Sequence, residues 1–171
     1  MNLYSEKSIN EPMLSYDKAT YEYTCGSCHI LAYEMLKQLP DHFRIGLLEE
    51  HCFIVDAMES TCYDISGSLP VEDFMEKWAE EWEEWFQTYE LCYIREFVEV
   101  ANDMYIEDIT PNVDNWTMRS AKYWAEKMVK AIECGASNEL NEAYLKYKYE
   151  GTTVNVDKIL EKHLQNLEPV V

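Results

Sequence analysis

Apolar positions in this chain keep different periods in its two halves. From Cys28 to Leu39, Ile30, Leu31, Met35 and Leu36 fall on one helix face. Ser27 stands where an N-cap belongs, and Pro40-Asp41 where the helix should stop. Two short runs follow, "HCFIVD" (His51 to Asp56) and "TCYDI" (Thr61 to Ile65), rich in β-branched and aromatic residues and separated by "AMES". They predict a β-hairpin, with "SGSLP" closing the unit. Beyond Leu69-Pro70 the period is helical almost to the end. Phe74, Met75, Trp78, Trp82, Trp85, Phe86 and Tyr89 line one side of a helix beginning near Pro70, with acids opposite. Ala121, Trp124, Ala125, Met128, Val129 and Ile132 form a second stripe that stops at Gly135. Two shorter helices are predicted near Asn138 to Tyr149 and Val156 to Leu167, with Gly151 between them.

The expected architecture is α+β. Residues 1–69 form a core in which a helix-start cysteine packs on a small antiparallel sheet. Residues 70–171 form a helical extension packed on that core within one domain. The Trp/Phe stripe reads as core, the usual place for large aromatics, with a partner-binding groove filler as the alternative.

Composition sharpens this. The 171 residues are 47% hydrophobic and 13% aromatic, enough to bury a real core and too apolar for an acidic disordered chain. Net charge is −19, from 33 acids and 14 bases. Such a surface repels nucleic acid backbones and anionic membranes and favours basic partners, or simply keeps the protein dissolved. The start, "MNLYSEKSIN", lacks the basic and apolar segments of a secretory signal, and no apolar run approaches the ~18 residues of a membrane span. A reducing cytoplasm is the expected setting, that of a bacterial host if the chain is phage-encoded. The cysteines, Cys25, Cys28, Cys52, Cys62, Cys92 and Cys134, are then thiols, ligands or catalysts rather than disulfides.

Chemistry concentrates in "YTCGSCHILAYEML", Tyr23 to Leu36. Four readings compete. Cys25-Gly-Ser-Cys28-His29 spells the c-type haem attachment pattern, which normally follows export. A zinc site would draw on Cys25, Cys28, His51 and Cys52, although His51 and Cys52 are adjacent and point to opposite faces of a strand. A thioredoxin-like redox pair needs a preceding strand, for which "YEYT" is the candidate, and a βαβ pattern afterwards. A nucleophile reading uses more residues. A thiol at a helix start is favoured as thiolate by the unpaired N–H groups there. It needs an imidazole to move its proton and an acid to hold that imidazole. With a turn near Ala57 to Glu59, His51 and Asp64 project from one hairpin face, opposite each other or on a diagonal. Asp64, before Ile65-Ser66-Gly67, also suits a turn. His29 is expected to face solvent or to support the site from behind. His42 and His163 have no partners that single them out.

A helix-start Cys followed by "HILA", then "HCFIV", then "CYDISG", resembles the compact papain-like and transglutaminase-like cysteine hydrolases, whose short members include phage and bacterial proteins. The resemblance covers roughly Tyr21 to Gly67. It implies Cys28 as nucleophile, His51 as base and Asp64 as orienting acid, with no cofactor. It implies amide chemistry on a protein or peptide substrate: peptidase, amidase, deamidase or acyl transfer. Where papain-like enzymes place an oxyanion-binding Gln, six residues before the nucleophile, this chain has Glu22, and His29 replaces the usual aromatic after the Cys. The Cys28 backbone N–H, with Tyr23 as second donor and Ser27 and His29 nearby, is the expected oxyanion group. The alternative from a different class is a catalytically inactive acidic binding or inhibitor protein of phage type, a nucleic-acid mimic on the same scaffold. The sequence leaves oligomeric state open.

Overall fold

The computed structural model describes residues 14–48, 51–81, 92–94 and 115–167. In chain order the elements are α1 (Tyr16–Cys25), α2 (Cys28–Leu36), β1 (Phe43–Leu48), β2 (His51–Asp56), β3 (Thr61–Asp64), β4 (Gly67–Pro70), α3 (Val71–Glu81), β5 (Cys92–Ile94), α4 (Asn115–Cys134), α5 (Ser137–Glu150) and α6 (Val156–Gln165). The fold is α+β. Its strands form one antiparallel sheet in the order β4-β3-β2-β1-β5.

The hairpin forms as its residue types dictate. Asp56 Oδ1 accepts the backbone N–H groups of Met58 (2.9 Å) and Glu59 (3.2 Å), which folds the turn over the "AMES" segment. Every residue of the central strand β2 is buried. Both of its faces are covered, which explains why "HCFIV" runs apolar without alternation. On one face Cys52 and Ile54 join Ile45 and Phe43 of β1 against Leu31 and Met35 of α2, with Ala121, Trp124, Ala125 and Met128 of α4 behind. On the other, Phe53, Val55, Cys62 and Leu48 pack against Phe74 and Trp78 of α3. The helices of the second half thus pack directly on the first.

Two expectations need correcting. The segment before α2, including "YEYT", is helix and not strand. Tyr16, Ala19, Thr20 and Tyr23 are buried at positions i, i+3, i+4 and i+7, a helical stripe. After Pro70 the chain is not all helix, because Cys92–Ile94 pairs with β1, Ile45 opposite Ile94. Of the aromatic stripe, Phe74 and Trp78 are core and Met75 packs partly buried beside them. Trp82, Trp85, Phe86 and Tyr89 lie outside the described residues. The α4 stripe is buried from Ala121 to Val129, and Gly135 ends that helix at φ +75°. Among the described residues no helix is long and apolar enough to cross a membrane.

Candidate active site

The α1–α2 junction places the sulfur. At Gly26 and Ser27 the chain breaks from α1, both amides donating to the Glu22 carbonyl (3.2 and 2.9 Å), and α2 restarts at Cys28. Ser27 holds the N-cap position, but its hydroxyl makes no cap. It donates instead to Glu22 Oε1 at 2.6 Å, fixing the bend. The Cys28 thiol sits at the first turn of α2, where the helix dipole favours negative charge. Its Sγ also accepts the Cys52 backbone N–H at 3.3 Å.

The hairpin supplies the other two groups. Ile54 faces Tyr63 and Val55 faces Cys62, so Asp64 lies across from Phe53, with His51 on the diagonal. His51 Nε2 and Asp64 Oδ2 meet at 3.0 Å. Nδ1, the other ring nitrogen, is buried and makes no conventional hydrogen bond among the described residues. Cys28, His51 and Asp64 are each only 3% exposed.

This geometry moves all three acidities. Hydrogen bonding from Cys52 outweighs burial and holds the Cys28 thiol well below its usual value, with His29 and His51 adding to the effect. Burial pulls His51 down, but Asp64 and Cys28 prevail and raise it to about 9. Burial pushes Asp64 up, yet the charge of Lys77 and the bond to His51 hold it well below the carboxylate range. All three shifts run toward the charged forms, thiolate, imidazolium and carboxylate.

The imidazole is held in a slot of rings. Its centroid is 4.2 Å from the Trp78 ring, 5.8 Å from Phe53 and 6.1 Å from Phe74. Gly46 makes the slot possible: a Cβ there would lie 2.6 Å from the Phe53 ring and 2.8 Å from Val55. Asp64 serves two tasks with two oxygens. While Oδ2 faces His51, Oδ1 accepts both the Ser66 backbone N–H at 2.8 Å and the Ser66 hydroxyl. Lys77 Nζ in turn donates to Ser66 Oγ at 2.7 Å. Tyr16 of α1 ties down the same turn, its hydroxyl donating to the Ile65 carbonyl at 2.8 Å.

Other expected residues fall differently. His29 does not face solvent: it is 1% exposed, because α2 begins against the core and its first turn is covered. Neither of its ring nitrogens has a conventional hydrogen bond among the described residues. Tyr23 is buried on α1, and burial raises its hydroxyl to about 12 while Ser120 of α4, near it, opposes the shift. For the zinc alternative, His51 and Cys52 do turn to opposite faces of β2. Among the described residues no group of three or more His, Cys, Asp or Glu side chains is arranged to hold a metal. The side chain of Cys25 lies outside the described residues.

Three contributors escaped the sequence reading. Ser66 and Lys77 hold Asp64, and the Cys52 backbone holds the sulfur. Lys77 left one trace, being the single base in "VEDFMEKWAEE". The Cys52 amide left none, because a backbone donor carries no side-chain signature. No protein-family model, no curated protein and no solved structure matches this chain.

Proposed function

We propose that this chain is a cysteine hydrolase or acyl-transfer enzyme with a papain-like or transglutaminase-like core, acting on an amide of a protein or peptide. The observation that carries the reading is the His51–Asp64 contact of 3.0 Å, with the Cys28 thiol at the start of α2 shifted toward its ionised form by Cys52, His29 and His51. A structural core has no need of a buried carboxylate, imidazole and thiolate in series, and perturbed acidities of this kind cluster at functional sites.

In the proposed reaction the Cys28 thiolate attacks the substrate carbonyl carbon. The His51 imidazolium gives its proton to the departing nitrogen, leaving a thioester on Cys28. His51, now neutral, takes a proton from water or an acceptor amine, which displaces the acyl group and returns the Cys28 thiolate beside the His51 imidazolium. Asp64 stays ionised throughout and steadies the imidazolium. The net charge of −19 favours a basic substrate or a basic flank to the scissile amide.

Limiting iodoacetamide, applied to the folded protein across pH with adducts mapped by mass, tests the reading. Cys28 should label first at neutral pH and lose that advantage in His51→Ala. Labelling of Cys28 no faster than Cys134 would end it.

The near-complete burial of the thiol also favours a second reading, an acidic binding or inhibitor protein on the same scaffold. Capture of a basic partner that is salt-sensitive and indifferent to Cys28→Ala would select it.

A further inference from the structure

We propose that Cys28 and Cys52 form a reversible disulfide under hydroperoxides, making Cys52 a resolving cysteine for the reactive thiol. The proposal rests on the thiolate of the preceding section but not on its acyl chemistry. The sequence advertises Cys25 as the partner, through Cys25-Gly-Ser-Cys28. The fold presents Cys52 instead. The Cys28 sulfur lies 3.3 Å from the Cys52 nitrogen, which is two bonds from the Cβ that carries the Cys52 thiol. The two cysteines are thus neighbours in the fold, as a disulfide requires. Both residues belong to the same core cluster, Cys28 3% and Cys52 2% exposed, and neither is in a disulfide. The Cys52 backbone N–H already points at that sulfur, which holds the two residues side by side.

The chemistry balances. The Cys28 thiolate attacks one oxygen of the hydroperoxide, an S–O bond forms and the O–O bond breaks. The departing hydroxide or alkoxide takes the His51 proton, and Cys28 is left as a sulfenic acid, oxidised by two electrons. The Cys52 sulfur then attacks the sulfenyl sulfur. An S–S bond forms, the S–O bond breaks, and the hydroxide leaves as water with the Cys52 proton. A small peroxide suits so enclosed a thiol. The disulfide would remove the nucleophile, and a dithiol reductant would return it. Cys62 and Cys134, also buried, stand apart: burial raises Cys62 to about 12, and Cys134 hydrogen-bonds the Ala131 carbonyl within its own helix.

Hydrogen peroxide at a few equivalents, followed by blocking and non-reducing peptide mapping, tests this. The expected product joins the Cys28 peptide to the Cys52 peptide, two mass units lighter than the dithiol. Cys28 alkylation should fall at least tenfold and recover fully with dithiothreitol. In Cys52→Ala, and in Cys52→Ser as a check on folding, peroxide should drive Cys28 to acids that dithiothreitol does not reverse. Each variant is compared with its own untreated sample. A Cys25–Cys28 disulfide in the wild type, or loss of Cys28 that dithiothreitol cannot reverse, would overturn the proposal. Slow alkylation of untreated Cys28 with the Cys28–Cys52 cross-link still formed would defeat the hydrolase reading alone, and fast alkylation with no cross-link would defeat the disulfide alone.

Discussion

His51 and Asp64 occupy diagonal positions on one face of the β2–β3 hairpin, and their side chains meet at 3.0 Å inside the protein. The contact is local in sequence and short. Its consequences reach further, because the same imidazole bears on a sulfur carried by a different element.

Asp64→Asn keeps the shape of this contact but removes the charge that stabilises the imidazolium. The Cys28 thiol should lose the part of its acidity that the His51 charge supplies, while the Cys52 hydrogen bond remains. Its alkylation rate at pH 7 is then expected to fall severalfold, short of the roughly 10²-fold that separates a fully ionised thiol from one with pKa ~8.5–9. Rates for wild type and variant, with circular dichroism to verify folding, decide the matter. An unchanged rate would mean that the carboxylate does not govern the thiol.

Lys77→Met removes the largest influence lowering Asp64. A depressed carboxylate stabilises the fold above its unfolded pKa of ~3.9 and loses that contribution as pH falls through its folded value. Lys77→Met should therefore cost about 1 kcal/mol at pH 7, a partly exposed cation contributing less than a buried one. The deficit should shrink on acidification, and Lys77→Arg should restore most of it. Urea unfolding at a series of pH values reads this out. A deficit of equal size at every pH would assign Lys77 to packing, not to the charge on Asp64.

Gly67→Ala strikes at the turn that sets Asp64. Gly67 has φ +106°, and a Cβ there would lie 2.5 Å from the Ser137 carbonyl oxygen and 2.6 Å from the Asn141 nitrogen, both backbone atoms of α5. Backbone cannot swing aside as a side-chain tip does. A loss of about 3 kcal/mol or more is expected, combining left-handed strain with overpacking. Thermal melting should drop by roughly 6 °C or more for a chain of this size. A change under 1 °C would show that β4 and α5 are not in close contact.

The thiol and imidazole also shape stability against pH. His51, raised to about 9, stabilises fully below the unfolded histidine value of 6.5 and loses that contribution as pH rises through about 9. Cys28, lowered, stabilises fully above the ordinary thiol value of 9.0 and loses its contribution as pH falls. Between 6.5 and 9 the two proton counts cancel. The unfolding free energy of wild type minus that of Cys28→Ala/His51→Ala should be flat in that window. Below it the difference should decline by up to about 1.4 kcal/mol per pH unit. A slope within the window would mean that the folded pair does not hold one proton in all, and a flat difference below it would mean that the proton is not on the imidazole.

What the amino-acid order decides by itself is whatever depends on near neighbours. Period and stop signals gave α2, α4, α5 and α6, and strand composition with an Asx turn gave the hairpin, hence the shared face of His51 and Asp64. Helix-start position made Cys28 conspicuous for the same local reason. Tertiary structure decided the rest. Helical Tyr21 to Thr24 is set by burial of Tyr16, Ala19 and Tyr23 against the core, and β5 exists through pairing with β1. The Lys77–Ser66–Asp64 chain joins α3 to the β3–β4 turn, and the Cys52 amide reaches a sulfur 24 residues away in sequence. His29 is buried because α2 starts inside the molecule, which no periodicity reports. Hydrogen bonds and burial across such distances arise only once the sheet and helices are packed, so residue spacing carries no trace of them.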